Sequence, residues 1–496
     1  MTTYLRPAVA VAAALTAALA LTAPATATTP TASPTAQEPS SPLGADWVKN
    51  AEVDQSVPGV TRTTWTEQNL DNRTRPRILQ IVEIDPNTAP VGLESTVGAG
   101  DGLAETVAEQ LAGVSSVPTR HPVAGVNGGL FKSEDKHPDH VLPAGTPPKT
   151  LQHMGVSATD GVLHSSSCWG RGLGTSGAVI QYGVPYITKL RTDLSLTLAD
   201  GTTARLDDIN RDPGRARGCA RDADDKLVAE EITGERGVYT DPDEIVLFTG
   251  DYRFPVPKPG LDPTVTTEDD PGFEVVLDST GTVTAAREGR GGETPGNPDP
   301  EPQVTVPSGG RILQGVGTGA AWLRTHLTPG TKVTVGQKLV DTRLGREIPL
   351  DPSVDVVGSF HQVLRDGDIP AELPDTCNQT GPGKAPGTVN CTDSRTALGT
   401  NVYGRPVLVT LTGQVQPDDT TTHEDGASLR TFASLLDSKE LGLIDALNLD
   451  GGGSATLMTG TTIHTPPTDR VNGVYVHRDV ADSVYAGISG YGMYAK

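Results

Sequence analysis

The stretch Asn448-Leu449-Asp450-Gly451-Gly452-Gly453-Ser454 sets a carboxylate beside three glycines and a hydroxyl. An acid in this setting can act as a nucleophile, as a base toward water, or as the partner of a developing cation. The glycines let the backbone approach a ligand closely and can turn N–H groups toward an anion. Single positions argue against two familiar chemistries. A phosphate-binding P-loop ends in Gly-Lys-Ser/Thr, and this stretch has no lysine. A hydrolase nucleophile elbow reads G-x-S-x-G, and Thr456 stands where its last glycine belongs. Ser454 is therefore expected to be a hydrogen-bonding neighbour of Asp450 and not the nucleophile.

Three further segments carry candidate chemistry. Val126-Asn127-Gly128-Gly129-Leu130-Phe131 is a second Gly-Gly turn, headed by an amide. Asp393-Ser394-Arg395-Thr396-Ala397-Leu398-Gly399 places an arginine among polar neighbours, and arginine is the side chain best suited to hold a phosphate bidentately. Gly358-Ser359-Phe360-His361 offers an imidazole, read either as a substrate contact or as a loop or core histidine. Gly315 to Ala320 formally matches G-x-G-x-x-A, but an isolated match in a glycine-rich chain is read as a structural strand–helix turn.

These residues need elements to hold them. The mostly apolar run LIDALNLD from Leu443 predicts a buried strand, which puts Asp450 at its C-terminal lip. The run SLRTFASLLDSKELG from Ser428 predicts a helix with Leu429, Phe432, Ala433, Leu435 and Leu436 on one face, capped by Gly442. LAETVAEQLAG from Leu103 predicts another helix. Short alternating runs from Arg77, Ala178, Glu244 and Phe273 predict strands. The expected fold class is α+β: a strand-rich mixed sheet core with few helices, long loops and a large insertion.

Along the chain, residues 1–27 read as an export signal, with Arg6 ahead of an Ala/Leu/Val core and Ala25-Thr26-Ala27 as the cleavage pattern. Residues 28–45 read as a disordered Thr/Pro/Ser linker, and 46–496 as one domain with an insertion at about 168–302. No other stretch approaches the roughly 20 apolar residues needed to span a bilayer, so no stable membrane insertion is expected. The expected location is extracellular, with wall association an option. The net charge of −22 argues against a nucleic-acid partner, which would favour a basic face. Four cysteines in an exported chain suggest two disulfides. Three connectivities exist, and Cys168–Cys219 with Cys377–Cys391 is the expected one. The absence of C-x-x-C spacing argues against zinc.

Taken in order, VNGGLF at Val126, GSFHQVLRDG from Gly358, SRTALG at Ser394 and NLDGGGSATLM at Asn448 resemble the blocks of the phosphodiester glycosidase family. The resemblance runs from about Ile78 toward the C-terminus. It departs at Leu130, where the family has Phe, and at Thr412, where the family has Asp. It departs again at His464-Thr465-Pro466 and at Val480-Ala481-Asp482-Ser483, where Asp482 replaces Asn.

The resemblance implies cleavage of a sugar phosphodiester at the anomeric carbon, with Arg395 and the N–H groups of Gly451 to Ser454 on phosphate and Asp450 on the cation-like sugar. Asn127, Gly128, Gly129, Thr396 and His361 join the substrate-binding set, with Asn127 touching sugar hydroxyls or orienting Asp450. A second carboxylate is left open among Asp366, Asp393, Glu424, Asp425 and Asp445. Ca²⁺ or Mg²⁺ bridging Asp450 to phosphate is the cofactor weighed, without an assigned ligand set. The segment DADDK at Asp222 lacks the glycine and distal glutamate of a calcium loop. Two other functions fit the same residues: a non-catalytic carbohydrate-binding surface protein, and a phosphodiesterase that breaks P–O.

Overall fold

The computed structural model describes residue 43 and residues 46–488, apart from 56, 69–75, 89–90, 116–119, 136–148, 170–174, 230–236, 255, 258–269, 290–303, 374–393, 414–425, 468 and 472–473. The export signal, nearly all of the linker, Cys377, Cys391, Asp393, Glu424 and Asp425 lie outside these residues.

Among the described residues, half are strand and 9% are helix, in three helices. The α+β, strand-rich reading is therefore correct. A seven-stranded sheet runs in the order Trp47–Asp54, Val60–Glu67, Arg77–Ile84, Pro406–Gly413, Arg395–Asn401, Leu443–Asn448 and His361–Leu364. Its neighbours are all antiparallel. A five-stranded sheet follows the order Thr462–Ile463, Leu457–Thr459, Pro122–Asn127, Ser483–Gly487 and Gly92–Thr96. Leu398, Leu408, Leu447 and Leu449 of the first sheet and its loop pack with Val126, Leu457 and Val484 of the second in one apolar cluster. Burial of this shared cluster fixes the two sheets against each other beneath the Asp450 lip.

The predicted strands at Arg77, Glu244 and Phe273 form as Arg77–Ile84, Ile245–Phe248 and Phe273–Leu277. The run from Ala178 divides into a hairpin, Ser176–Gln181 and Val184–Leu198. Its two-residue turn puts both Tyr182 (φ 51°) and Gly183 (φ 80°) in the left-handed region, as a primed turn requires. This hairpin pairs with Val354–Ser359 on one side and Val333–Asp341 on the other, so the stretch around 168–302 is woven into a sheet built largely from residues beyond it. Gly315 to Ala320 forms the turn between the strand Arg311–Gly315 and the helix Gly317–His326.

The helix near Leu103 forms at Val107–Val114. Thr106 and Glu109 make a reciprocal capping box there, which satisfies two otherwise unpaired N–H groups. The Ser428 helix also forms, but spans only Leu429–Leu436. Gly442 is therefore not its cap. It has φ 57° and closes a separate turn, with its N–H bonded to Ser438 O at 2.7 Å. Cys168 and Cys219 are bonded, as expected, with their Cα atoms 5.7 Å apart. Among the described residues no helix is long and apolar enough to cross a membrane.

Candidate active site

Asp450 sits two residues beyond the strand Leu443–Asn448, at the edge shared by the two sheets. Its backbone is held from both sides. Its N–H donates to Gly128 O at 3.0 Å, and its carbonyl accepts from Asn127 Nδ2 at 2.8 Å. Asn127 is fully buried, and its Oδ1 accepts from the Thr396 hydroxyl at 2.8 Å and the Thr456 N–H at 3.1 Å. One amide thus ties together the two glycine loops and the arginine strand. Among the described residues the amide's hydrogen bonds all go to protein groups, the Asp450 carbonyl among them.

Gly128 and Gly129 are packed too tightly for any side chain. A Cβ on Gly129 would lie 2.4 Å from Gly358 O, and one on Gly128 would lie 2.2 Å from Asp482 Oδ1. Their N–H groups go to Asp482: Gly128 to its carbonyl and Gly129 to its carboxylate, both at 2.8 Å. Asp482 is itself buried at 2% exposure, and His153 Nδ1 lies 3.8 Å from it. His153 Nε2 faces Asp101 at 3.2 Å. The imidazole is therefore flanked by two carboxylates. Burial pulls its pKa down, but Asp101 and Asp482 more than reverse that and hold it above the ordinary value.

Burial pushes the Asp450 carboxyl above the usual carboxylate range. The Ser454 hydroxyl, the Arg478 charge and the Gly451 N–H act against that shift, and the Asp482 charge adds to it. Ser454 is buried and placed as a hydrogen-bonding neighbour, with Arg478 Nη1 3.5 Å from its hydroxyl. Arg478 is fixed by a bidentate pair to Asp469, with both contacts at 2.7 Å. Arg395, first residue of its strand, donates from Nε to Ala427 O at 2.8 Å, and its Nη1 lies 3.7 Å from where a Gly451 Cβ would be. Two guanidinium groups therefore border the Asp450 loop.

His361 lies opposite Asn448 in the adjoining strand. Burial, followed by the charges of Lys189 and Arg395, lowers its pKa to about 4, so it is neutral at ordinary pH.

Three of the four N–H groups from Gly451 to Ser454 have partners within the protein. Gly452 donates to Ser394 O at 2.9 Å and Ser454 to Gly451 O at 3.2 Å, while the Gly451 N–H serves Asp450 itself. The triple glycine is a one-turn 3₁₀ segment, Gly452–Ser454, and its donors are largely spent on the turn.

The candidate second carboxylates Asp366 and Asp445 lie at the other end of Leu443–Asn448. There Asp445 accepts from Gln362 Nε2 at 3.0 Å and from the Asp366 N–H at 3.3 Å. The carboxylate whose charge reaches Asp450 is Asp482, which the sequence marked only as a departure. Arg478 carried no sequence signal. The group of three carboxylates close enough together for a metal is Asp222, Asp225 and Asp241; no such group involves Asp450 among the described residues.

Residues 273–486 match the phosphodiester glycosidase family. Three of the four sequence blocks, those at Gly358, Ser394 and Asn448, lie within this match, and the block at Val126 lies outside it. The matched phosphodiester glycosidase span holds His361, Arg395, Thr396, the Asp450 loop, Arg478 and Asp482, and excludes Asn127 to Gly129. Over 124 residues the chain is 30% identical to the mouse N-acetylglucosamine-1-phosphodiester alpha-N-acetylglucosaminidase, a stretch of 24% of this chain and 22% of that protein. The match thus spans about a fifth of the length of this relative. A solved structure from Burkholderia pseudomallei, of a protein whose name suggests export, is 25% identical with a TM-score of 0.61, over 84% of this chain and 74% of that one. A hypothetical protein from Synechocystis shares the fold at 18% identity and a TM-score of 0.52, over 86% and 62% of the two chains.

Proposed function

We propose that the protein is an exported hydrolase that releases a sugar from a glycosyl phosphodiester by breaking the anomeric C–O bond. Its substrates would be envelope or extracellular polysaccharides. The observation that carries this reading is the pairing of one half-buried carboxylate, Asp450, with two bordering guanidinium groups, Arg395 and Arg478. A phosphomonoester is already an acceptable leaving anion, so the reaction needs charge placed correctly more than it needs a strong acid. The arginines hold the phosphate. Asp450 faces the sugar, where positive charge develops at the anomeric carbon. Water then bonds to that carbon, the C–O electron pair leaves with the phosphate, and the proton lost by water passes to Asp450. Acting as a nucleophile, Asp450 would instead bond the carbon first and release it to water in a second step.

Export is supported by the Cys168–Cys219 bridge, since disulfides persist in oxidising compartments. Were a Ca²⁺ or Mg²⁺ ion to take part, Asp450 would be the residue to hold it, and it would supply positive charge toward the phosphate. Added chelator should then abolish turnover, and unchanged turnover would remove the ion.

Incubation with an α-N-acetylglucosaminyl phosphodiester in ¹⁸O-labelled water tests the reading. Label in the sugar supports it. Label in the phosphate means P–O cleavage, and no turnover leaves a carbohydrate-binding protein. Asp450→Asn and Arg395→Ala should each abolish release while the thermal melt persists, and near-normal turnover in both would sink the assignment.

A further inference from the structure

A groove of about 750 Å³ lies on the segment that carries the disulfide, and nothing in the mechanism above uses it. Its walls include Trp169, Lys189, Arg191 and Arg205. Trp169 is 57% exposed, unusual for the largest aromatic side chain, yet its backbone is fixed. The neighbouring Cys168 is bridged to Cys219, and the Trp169 N–H bonds Ala220 O at 2.8 Å. A rigidly mounted, exposed indole presents a flat apolar face with a polar edge, which suits the mixed surface of a sugar ring.

The charges on the rim differ in their availability. Arg191 is paired with Asp193 at 2.9 Å, and Arg205 with Asp222 at 2.8 Å and Asp207 at 3.3 Å. Lys189 has no carboxylate at ion-pair distance among the described residues. Its Nζ donates to the Ser176 hydroxyl at 2.7 Å. Burial lowers its pKa, the Glu372 charge acts against that, and the Arg365 and Arg343 charges add to it, so an arriving anion would add charge stabilisation.

The groove also adjoins the candidate active site. The charges of Lys189 and Arg395 both act on His361. Ser176, the partner of Lys189, stands opposite Ser359, and the Ser359 hydroxyl bonds Asn448 O, two residues before Asp450.

We propose that this groove is a subsite for the continuation of an anionic glycan chain, with Trp169 stacking a sugar unit and Lys189 holding a second phosphate or carboxylate. The proposal rests on the hydrolase reading above and narrows its substrate class to phosphate-containing polymers.

The test compares two probes: a glycosyl methyl phosphodiester, and an oligomer of several sugar-1-phosphate repeats. Trp169→Ala should lower kcat/KM on the oligomer about tenfold, the value of one aromatic contact, and leave the methyl probe within twofold. Trp169→Phe should restore most of the loss. Equal effects on both probes, or none, would overturn the subsite. If the wild type cleaves neither probe, the hydrolase reading has failed and the groove is judged by binding. Gel retardation by the oligomer that is weakened in Trp169→Ala upholds the groove, and retardation that is absent or unchanged overturns it. Equal retardation by an uncharged oligosaccharide of the same length would overturn the anionic assignment.

Discussion

Replacing Asn127 by Ala should damage the fold first and the chemistry through it. The side chain makes three hydrogen bonds to the arginine strand and the second glycine loop: from Thr396 Oγ1 at 2.8 Å, from the Thr456 N–H at 3.1 Å, and to Asp450 O at 2.8 Å. Two of the partners are backbone groups with few other options in a fully buried setting. Leaving a buried backbone group unpaired costs about 1–3 kcal/mol, whereas a net hydrogen bond contributes about 1 kcal/mol. The expected loss is therefore about 2–5 kcal/mol, read from the shift in urea midpoint at unchanged m-value. Thr396→Val removes only the hydroxyl donor and should cost about 1 kcal/mol. A loss below about 1 kcal/mol for Asn127→Ala would mean that the amide does not clamp the loops, and the placement of Asp450 would need another explanation.

Two further outcomes follow from the charges and the disulfide. His361 titrates at about 4 in the folded chain against an ordinary 6.5, so the unfolded chain binds more protons between those values. Its contribution to stability is complete above 6.5 and lost as pH falls toward 4. His361→Gln should flatten the urea stability profile in that window, and parallel profiles would contradict the assignment. Cys168 and Cys219 are separated by 51 residues, and closing a loop of that length restrains the unfolded chain by about 4 kcal/mol. A Cys168→Ala, Cys219→Ala double variant should lose stability approaching that figure in urea, and a loss under about 1 kcal/mol would show that the bridge does not restrain the unfolded chain.

The local parts of the site were legible in the sequence. Leu443–Asn448 reads as a buried strand from its apolar run, so the lip position of Asp450 follows. Both helices were read from their apolar faces, the first four residues too early, because the capping box at Thr106 was not used to place its start. The end of the second helix was misplaced. Ser438 to Gly442 keeps its own turn, and a glycine that closes a turn looks in sequence like one that caps a helix. What sequence could not give were relations between distant segments. The Arg478 charge acts on Asp450 from 28 residues further along the chain, and nothing in the local sequence marks that approach. Asp482 looked like a lost family asparagine, because the glycine N–H groups and the histidine that surround it come from residues 128–153. The role of the Asn127 amide stayed open between sugar and Asp450, since nothing local reveals that the second glycine loop and the arginine strand converge on it. The glycine donors looked free because the carbonyls that take them include Ser394, in another strand connection.

The strand Ser483–Gly487 is wedged between Pro122–Asn127 and Gly92–Thr96, and Asp482 at its head grips the Gly128-Gly129 turn. The span matched to the family contains this strand but neither of its neighbours. An excised 273–486 piece would carry Asp450 and both arginines with no wall behind them, and would present a buried, apolar strand with two bare edges, an invitation to self-association. Residues 273–486 are thus not a portable unit.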